Sequence, residues 1–84
     1  MRIQAKRDAV EPSIVGALRR YGVLVWHLSG PGQPDLLTCY RGRWLPLEVK
    51  SARGRLTARQ QGIRWPVVRS VEDALIAIGV RVAP

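Results

Sequence analysis

Asp35, Glu48 and Lys50 are the residues of this chain whose types and spacing point to chemistry. Asp35 opens one apolar run and Glu48 and Lys50 close another; between the runs stands Arg41-Gly42, a turn signal, so residues 35–50 predict a β-hairpin. With the turn centred on Arg41 and Gly42, Tyr40 faces Arg43, and the same register carried outward sets Asp35 opposite Glu48. Facing residues on one sheet face have Cβ atoms about 4.5–5.5 Å apart. Lys50 is two residues beyond Glu48 and points to the same face. Two carboxylates and an ammonium therefore meet at one end of the hairpin.

Facing carboxylates repel and weaken a sheet, unless something positive sits between them. A hard divalent cation such as Mg²⁺ takes oxygen ligands and is held by one or two carboxylates plus substrate phosphates. Lys50 would stand beside it, able to orient a water or steady a phosphoryl oxygen. The alternative is a plain surface ion pair of Lys50 with either acid, and a one-residue slip would part the two acids. Pro46, inside the second run, has no N–H for a ladder and predicts a bulge or an unpaired position there.

The elements that must hold these residues belong to one small domain, residues 1–84, with residues 1–10 a loose lead-in. Hydrophobic residues make up 46% of the chain, enough for a core but a small one, which an oligomer or a bound partner would help. No apolar stretch approaches the roughly 18 residues of a membrane span, and the polar N-terminus does not read as a signal peptide. The lone Cys39 allows no internal disulfide and reads as a small core residue, so a cytoplasmic protein is expected. Fourteen Lys and Arg against six Asp and Glu give a net charge of +8, which predicts a polyanionic partner, nucleic acid first, and no membrane. Acids kept at the centre of so basic a chain suggest chemistry on a phosphate rather than binding alone.

Glu11-Pro12-Ser13 predicts the start of an amphipathic helix through Tyr21, closed by Gly22. Val23–Leu28 predicts a strand, and Ser29–Pro34 a loop whose Ser29 and Gly30 N–H groups suit a phosphate. After the hairpin come a basic loop with Arg53 and Arg55, a short helix capped by Thr57 that carries Arg59 and Gln60, and a short strand at Val67-Val68. A last helix runs from a Ser70 cap to Ile78, with Gly79 beyond it; Val80–Val82 is an edge strand or a tail. The connection from Ser51 to Pro66 is longer than the dozen or so residues a parallel crossover needs. The expectation is an α/β fold, a mixed central β-sheet flanked by helices, in the order α-β-β-β-α-β-α.

Pro34-Asp35 followed by Glu48-Val49-Lys50 resembles the signature of the PD-(D/E)xK nuclease superfamily. With Gly32-x-Pro34-Asp35-Leu36-Leu37, Gly54-Arg55-Leu56-Thr57, Gln60, Val67-Val68-Arg69-Ser70 and the leading Glu11-x-x-Ile14, nearly the whole chain is similar to the VRR-type nuclease family, in its stand-alone phage and bacterial form. The resemblance implies a restriction-endonuclease-like domain: a Mg²⁺- or Mn²⁺-dependent DNA endonuclease, dimeric, acting on branched DNA such as Holliday junctions. It implies Asp35, Glu48 and the Val49 carbonyl as metal ligands, Lys50 as the catalytic lysine, Glu11 as a helix-one acid leaning toward the metal, and Gln60 as a polar residue near the site. Two departures stand out: a shortened stretch after Gln60, and Pro46 in the second hairpin strand.

For the other candidates the sequence leaves two readings each. Glu11 fits a first-turn acid as well as a ligand. His27 stands alone and reads as structural. Trp26, Trp44 and Trp65 read as core or dimer contacts, with base stacking as the alternative. Arg41, Arg43, Arg53, Arg55 and Arg59 are expected on the DNA backbone, and Arg69 either there or bracing the sheet. The rival to the enzyme is a non-catalytic nucleic-acid-binding module, which charge alone fits equally well but for which the carboxylate pair has no use.

Overall fold

The hairpin turn sets the geometry on which everything else rests. Arg41 and Gly42 have φ of 52° and 79°, the two positive values that a two-residue mirror-image turn demands. In the computed structural model, which describes residues 8–56, 62 and 64–81, this turn joins β2 (Leu36–Tyr40) to β3 (Arg43–Val49). The ladder runs without a break from Tyr40↔Arg43 to Leu36↔Leu47, the register expected from the sequence.

Pro46 makes no bulge. It pairs with Leu37 inside the continuous ladder, and the reason is parity. Tyr40 and Arg43 close the turn as a hydrogen-bonded pair, so Leu37 and Pro46 fall on a non-hydrogen-bonded step. The nitrogens of Glu48 and Lys50 point away from β2, to Pro66 O and Val68 O. The nitrogen of Pro46 points the same way, past the end of β4 (Val67–Val68), where no ladder donor is needed.

The sheet has four strands in the order β1-β2-β3-β4, with β1 spanning Leu24–His27. The first three are antiparallel neighbours and β4 is parallel to β3, as the long Ser51–Pro66 connection requires. The helix expected from Thr57 lies outside the described residues, which show an α/β arrangement of a four-stranded mixed sheet and two helices. No helix among them is long and apolar enough to cross a membrane.

Alternation along the strands sorts the two faces. Val25, Leu36, Leu47, Val49 and Val68 point to one side and pack with Ile14, Val15 and Leu18 of α1 (Glu11–Arg20) and Ala74, Leu75 and Ile78 of α2 (Val71–Ile78) in a single cluster. Thr38 is buried on that face and donates its hydroxyl to Leu45 O at 2.7 Å. Cys39 faces the other way and is only half-buried, so it is not the core residue expected. α2 is capped as predicted: Ser70 Oγ accepts from Asp73 N at 3.0 Å, and Gly79 takes φ of 87° beyond its end. The lead-in is tied down from Asp8, whose Oδ1 accepts the Ser51 N–H at 3.1 Å.

The turn can be tested directly. A side chain at Gly42 meets no neighbour, so its cost is conformational alone. Gly42→Ala is expected to destabilise by about 1 kcal/mol, read as a drop of roughly 4–8 °C in the unfolding midpoint.

Candidate functional site

Asp35 stands one step outside the last ladder pair, Leu36↔Leu47. Carried on, the register meets Glu48 at a non-hydrogen-bonded step, where opposed Cα atoms come within about 4.5 Å and side chains are closest. Two bonds hold Asp35 there. Its carbonyl accepts the Leu28 N–H at 2.9 Å, which anchors it to the end of β1. Its carboxylate Oδ2 accepts the Val49 N–H at 2.8 Å. That N–H points toward β2, and the Asp35 carboxylate takes the place of a ladder carbonyl.

Glu48 is 3% exposed. The indole Nε1 of Trp65 donates to its Oε1 at 3.1 Å; Trp65 ends the crossover, next to the Pro66 carbonyl that receives the Glu48 N–H. Burial raises the Glu48 carboxyl above its ordinary range; the Trp65 hydrogen bond opposes this, while the charge of Asp35 and a hydrogen bond between the two carboxyls add to it and the charge of Lys50 pulls it back. Glu48 thus feels both the Asp35 carboxylate and the Lys50 ammonium. Lys50 itself is half-buried, with its N–H on Val68 O at 3.0 Å.

Among the described residues, no three or more His, Cys, Asp or Glu side chains form a group ready to hold a metal ion. A cation at this end of the hairpin would draw on Asp35, Glu48 and the Val49 carbonyl, which by strand geometry points to the same side as its N–H. Water and substrate oxygens would supply the rest. That all-oxygen donor set fits Mg²⁺ or Mn²⁺, and Mg²⁺ commonly keeps several waters and uses one or two carboxylates.

Other expected site residues are placed differently. Glu11 is 3% exposed, and its Oε2 lies 3.1 Å from His27 Nδ1. Gly30 does not offer its N–H to a phosphate, because Gln33 Oε1 accepts it at 2.9 Å. Ser29 is exposed on the same loop. Arg41 and Arg43 are exposed at the hairpin tip, and Arg53 and Arg55 are exposed on the loop after Lys50. Arg69 braces that loop: its guanidinium donates to Ser51 O at 2.8 Å and to Gly54 O at 2.6 Å. Arg59 and Gln60 lie outside the described residues.

Two interactions are not legible in the sequence, Trp65 on Glu48 and His27 on Glu11. An indole or imidazole at an element's end beside scarce acids is the available signal, but nothing local names the partner. Compared with protein-family models, curated proteins and solved structures, the chain matches none.

The elevated Glu48 carboxyl has a definite consequence for stability. As pH rises through the ordinary glutamate value of 4.5, the unfolded chain loses this proton before the folded one does. Stability from this group is therefore present in acid and is lost as pH climbs to the raised folded value. Glu48→Gln keeps an acceptor for Trp65 and removes the titration. In metal-free buffer above that window it should melt a few degrees higher than the wild type, with the gap closing in acid, as pH-dependent thermal unfolding will show.

Proposed function

We propose that this chain is a divalent-metal-dependent DNA endonuclease of the PD-(D/E)xK type, a phosphodiesterase similar to the VRR-type nucleases, with a restriction-endonuclease-like fold. One observation carries the reading: Asp35 and Glu48 are held side by side, with Lys50 beside them, in a chain of net charge +8. Mutual repulsion of two such acids serves no evident purpose in a protein that only binds polyanions.

When bound, a divalent cation supplies Lewis-acid stabilisation of charge on the phosphoryl oxygens and lowers the pKa of a water. The chain's own residues do the rest. Asp35, fixed through the Val49 N–H, and Glu48, fixed through the Trp65 indole, present oxygens from two strands of a rigid ladder. Lys50 sets an ammonium beside them, where it orients the attacking water and offsets charge on a scissile phosphate. The exposed arginines after Lys50 engage the DNA backbone. The motif resemblance adds the branched-DNA substrate and a homodimeric assembly.

The rival reading, a binding module without catalysis, draws on the fact that each acid already holds a donor: Val49 N–H, Trp65 Nε1 and, for Glu11, His27. Asp35→Asn separates the two, because it keeps an acceptor for Val49 and removes the charge. Cleavage of flap, nicked, Y-shaped and four-way substrates in Mg²⁺ should fall by roughly 10²-fold or more in Asp35→Asn and in Lys50→Ala, with DNA binding little changed. Calorimetry should show Mg²⁺ binding to the wild type and none to Asp35→Asn. Cleavage unchanged in both variants refutes the assignment.

Arg53 and Arg55 give a separate test. If both meet phosphates, the double alanine variant binds more weakly across sequences. The slope of log affinity against log salt then falls by about one for each phosphate no longer engaged.

A further inference from the structure

The second face of the sheet is not covered like the first. Alternation puts Leu24, Trp26, Leu37, Cys39, Trp44 and Pro46 on it, in two rows: Leu24↔Cys39↔Trp44 and Trp26↔Leu37↔Pro46. Leu24 is 57% exposed, Trp26 43% and Trp44 58%. The two indoles lean toward each other across β2, with ring centroids 5.3 Å apart and planes 21° from parallel. They form a stacked aromatic platform open to solvent.

Its position is what gives it meaning. The next row along the same face is Asp35 opposite Glu48, two positions beyond Trp26↔Leu37↔Pro46. Two residues of strand span only about 7 Å, so a strand of nucleic acid resting on the platform reaches the carboxylates directly. A cation borders the platform as well. Arg19 lines a shallow depression at the edge of the sheet together with Val23, Leu24 and Trp26, and its guanidinium is pinned there by a 3.0 Å bond to Val25 O. Arg43 alternates to the helix-covered face, and Arg41 lies over the Tyr40 ring, 5.3 Å from its centroid.

An occupant of this face must be flat and apolar where it meets the indoles and anionic where it meets Arg19. A second copy of the chain is a poorer fit, because each copy carries a net charge of +8. Paired bases hide their faces inside the duplex, whereas bases free of pairing stack on exposed aromatics and carry their phosphates with them. We infer that Trp26 and Trp44 form a stacking platform for unpaired nucleobases of DNA, and that it selects a substrate with single-stranded character and leads that strand to Asp35 and Glu48. The second half of this statement rests on the nuclease reading; the platform itself does not.

The experiment uses the full chain in chelator, so that neither metal nor cleavage enters. Anisotropy of a labelled short oligothymidine is compared with that of a duplex of equal length and of an abasic strand with the same phosphates, with intrinsic tryptophan fluorescence followed alongside. Trp44→Ala, at an exposed position, should weaken oligothymidine binding by roughly tenfold, the scale of a single base stack. Duplex and abasic binding should stay within about twofold, and Trp44→Tyr should restore most of the affinity. Oligothymidine should quench the wild-type fluorescence more than the abasic strand does. Equal weakening for all three nucleic acids, or none for oligothymidine, overturns the platform. So does light scattering that shows a dimer which Trp44→Ala dissociates, with fluorescence unmoved by DNA, since the face would then be an interface between copies. A normal stacking response from a chain that cleaves nothing would leave the platform standing and overturn only the nuclease reading.

Discussion

Two carboxylates forced together at the closest-approach step of a hairpin are the constraint around which this small protein is organised. A cation-free Asp35–Glu48 pair is unfavourable on electrostatic grounds alone, yet several strong local features maintain it. A turn with positive φ at Arg41 and Gly42 sets the register, the Val49 N–H grips Asp35, and the Trp65 indole grips Glu48. Loss of any of these would let the acids move apart and relax.

The rest of the fold makes room for it. Both described helices pack on one face of the sheet and assemble the core there. The other face is left to the acids at one end and to the tryptophan stack further along. In a domain this small a second full apolar layer is hard to build, and among the described residues Leu24, Trp26 and Trp44 stay exposed on that second face.

The scarcity of acids also shows how they are used. Asp8 ties the chain ahead of α1 to the loop after the hairpin through Ser51. Asp73 accepts the Arg69 N–H while Ser70 Oγ accepts its own N–H, a reciprocal cap that starts α2. Glu11 is buried against His27. Three of the six carboxylates, Asp8, Glu11 and Asp73, thus serve as fasteners or caps, while Asp35 and Glu48 are set against each other.

The sequence by itself determined what depends on neighbours along the chain. Arg41-Gly42 marked the turn, and with the turn centred there alternation set Asp35 opposite Glu48; the ladder from Tyr40↔Arg43 to Leu36↔Leu47 decided against a slip. The caps at Ser70 and Gly79 were legible for the same reason, since a cap forms within one helical turn. Pro46 was legible only as a bulge or an unpaired position; the second holds, because its nitrogen faces away from β2, a fact of the sheet and not of the strand. His27 and Glu11, Trp65 and Glu48, Arg69 and Ser51 are 16, 17 and 18 residues apart and meet only because helix, crossover and sheet are packed together. The exposure of Trp26 and Trp44 was hidden in the same way. The sequence left them as core or dimer contacts, with base stacking as the alternative, and only the tertiary structure, by putting both described helices on the opposite face, decided that they stack in the open.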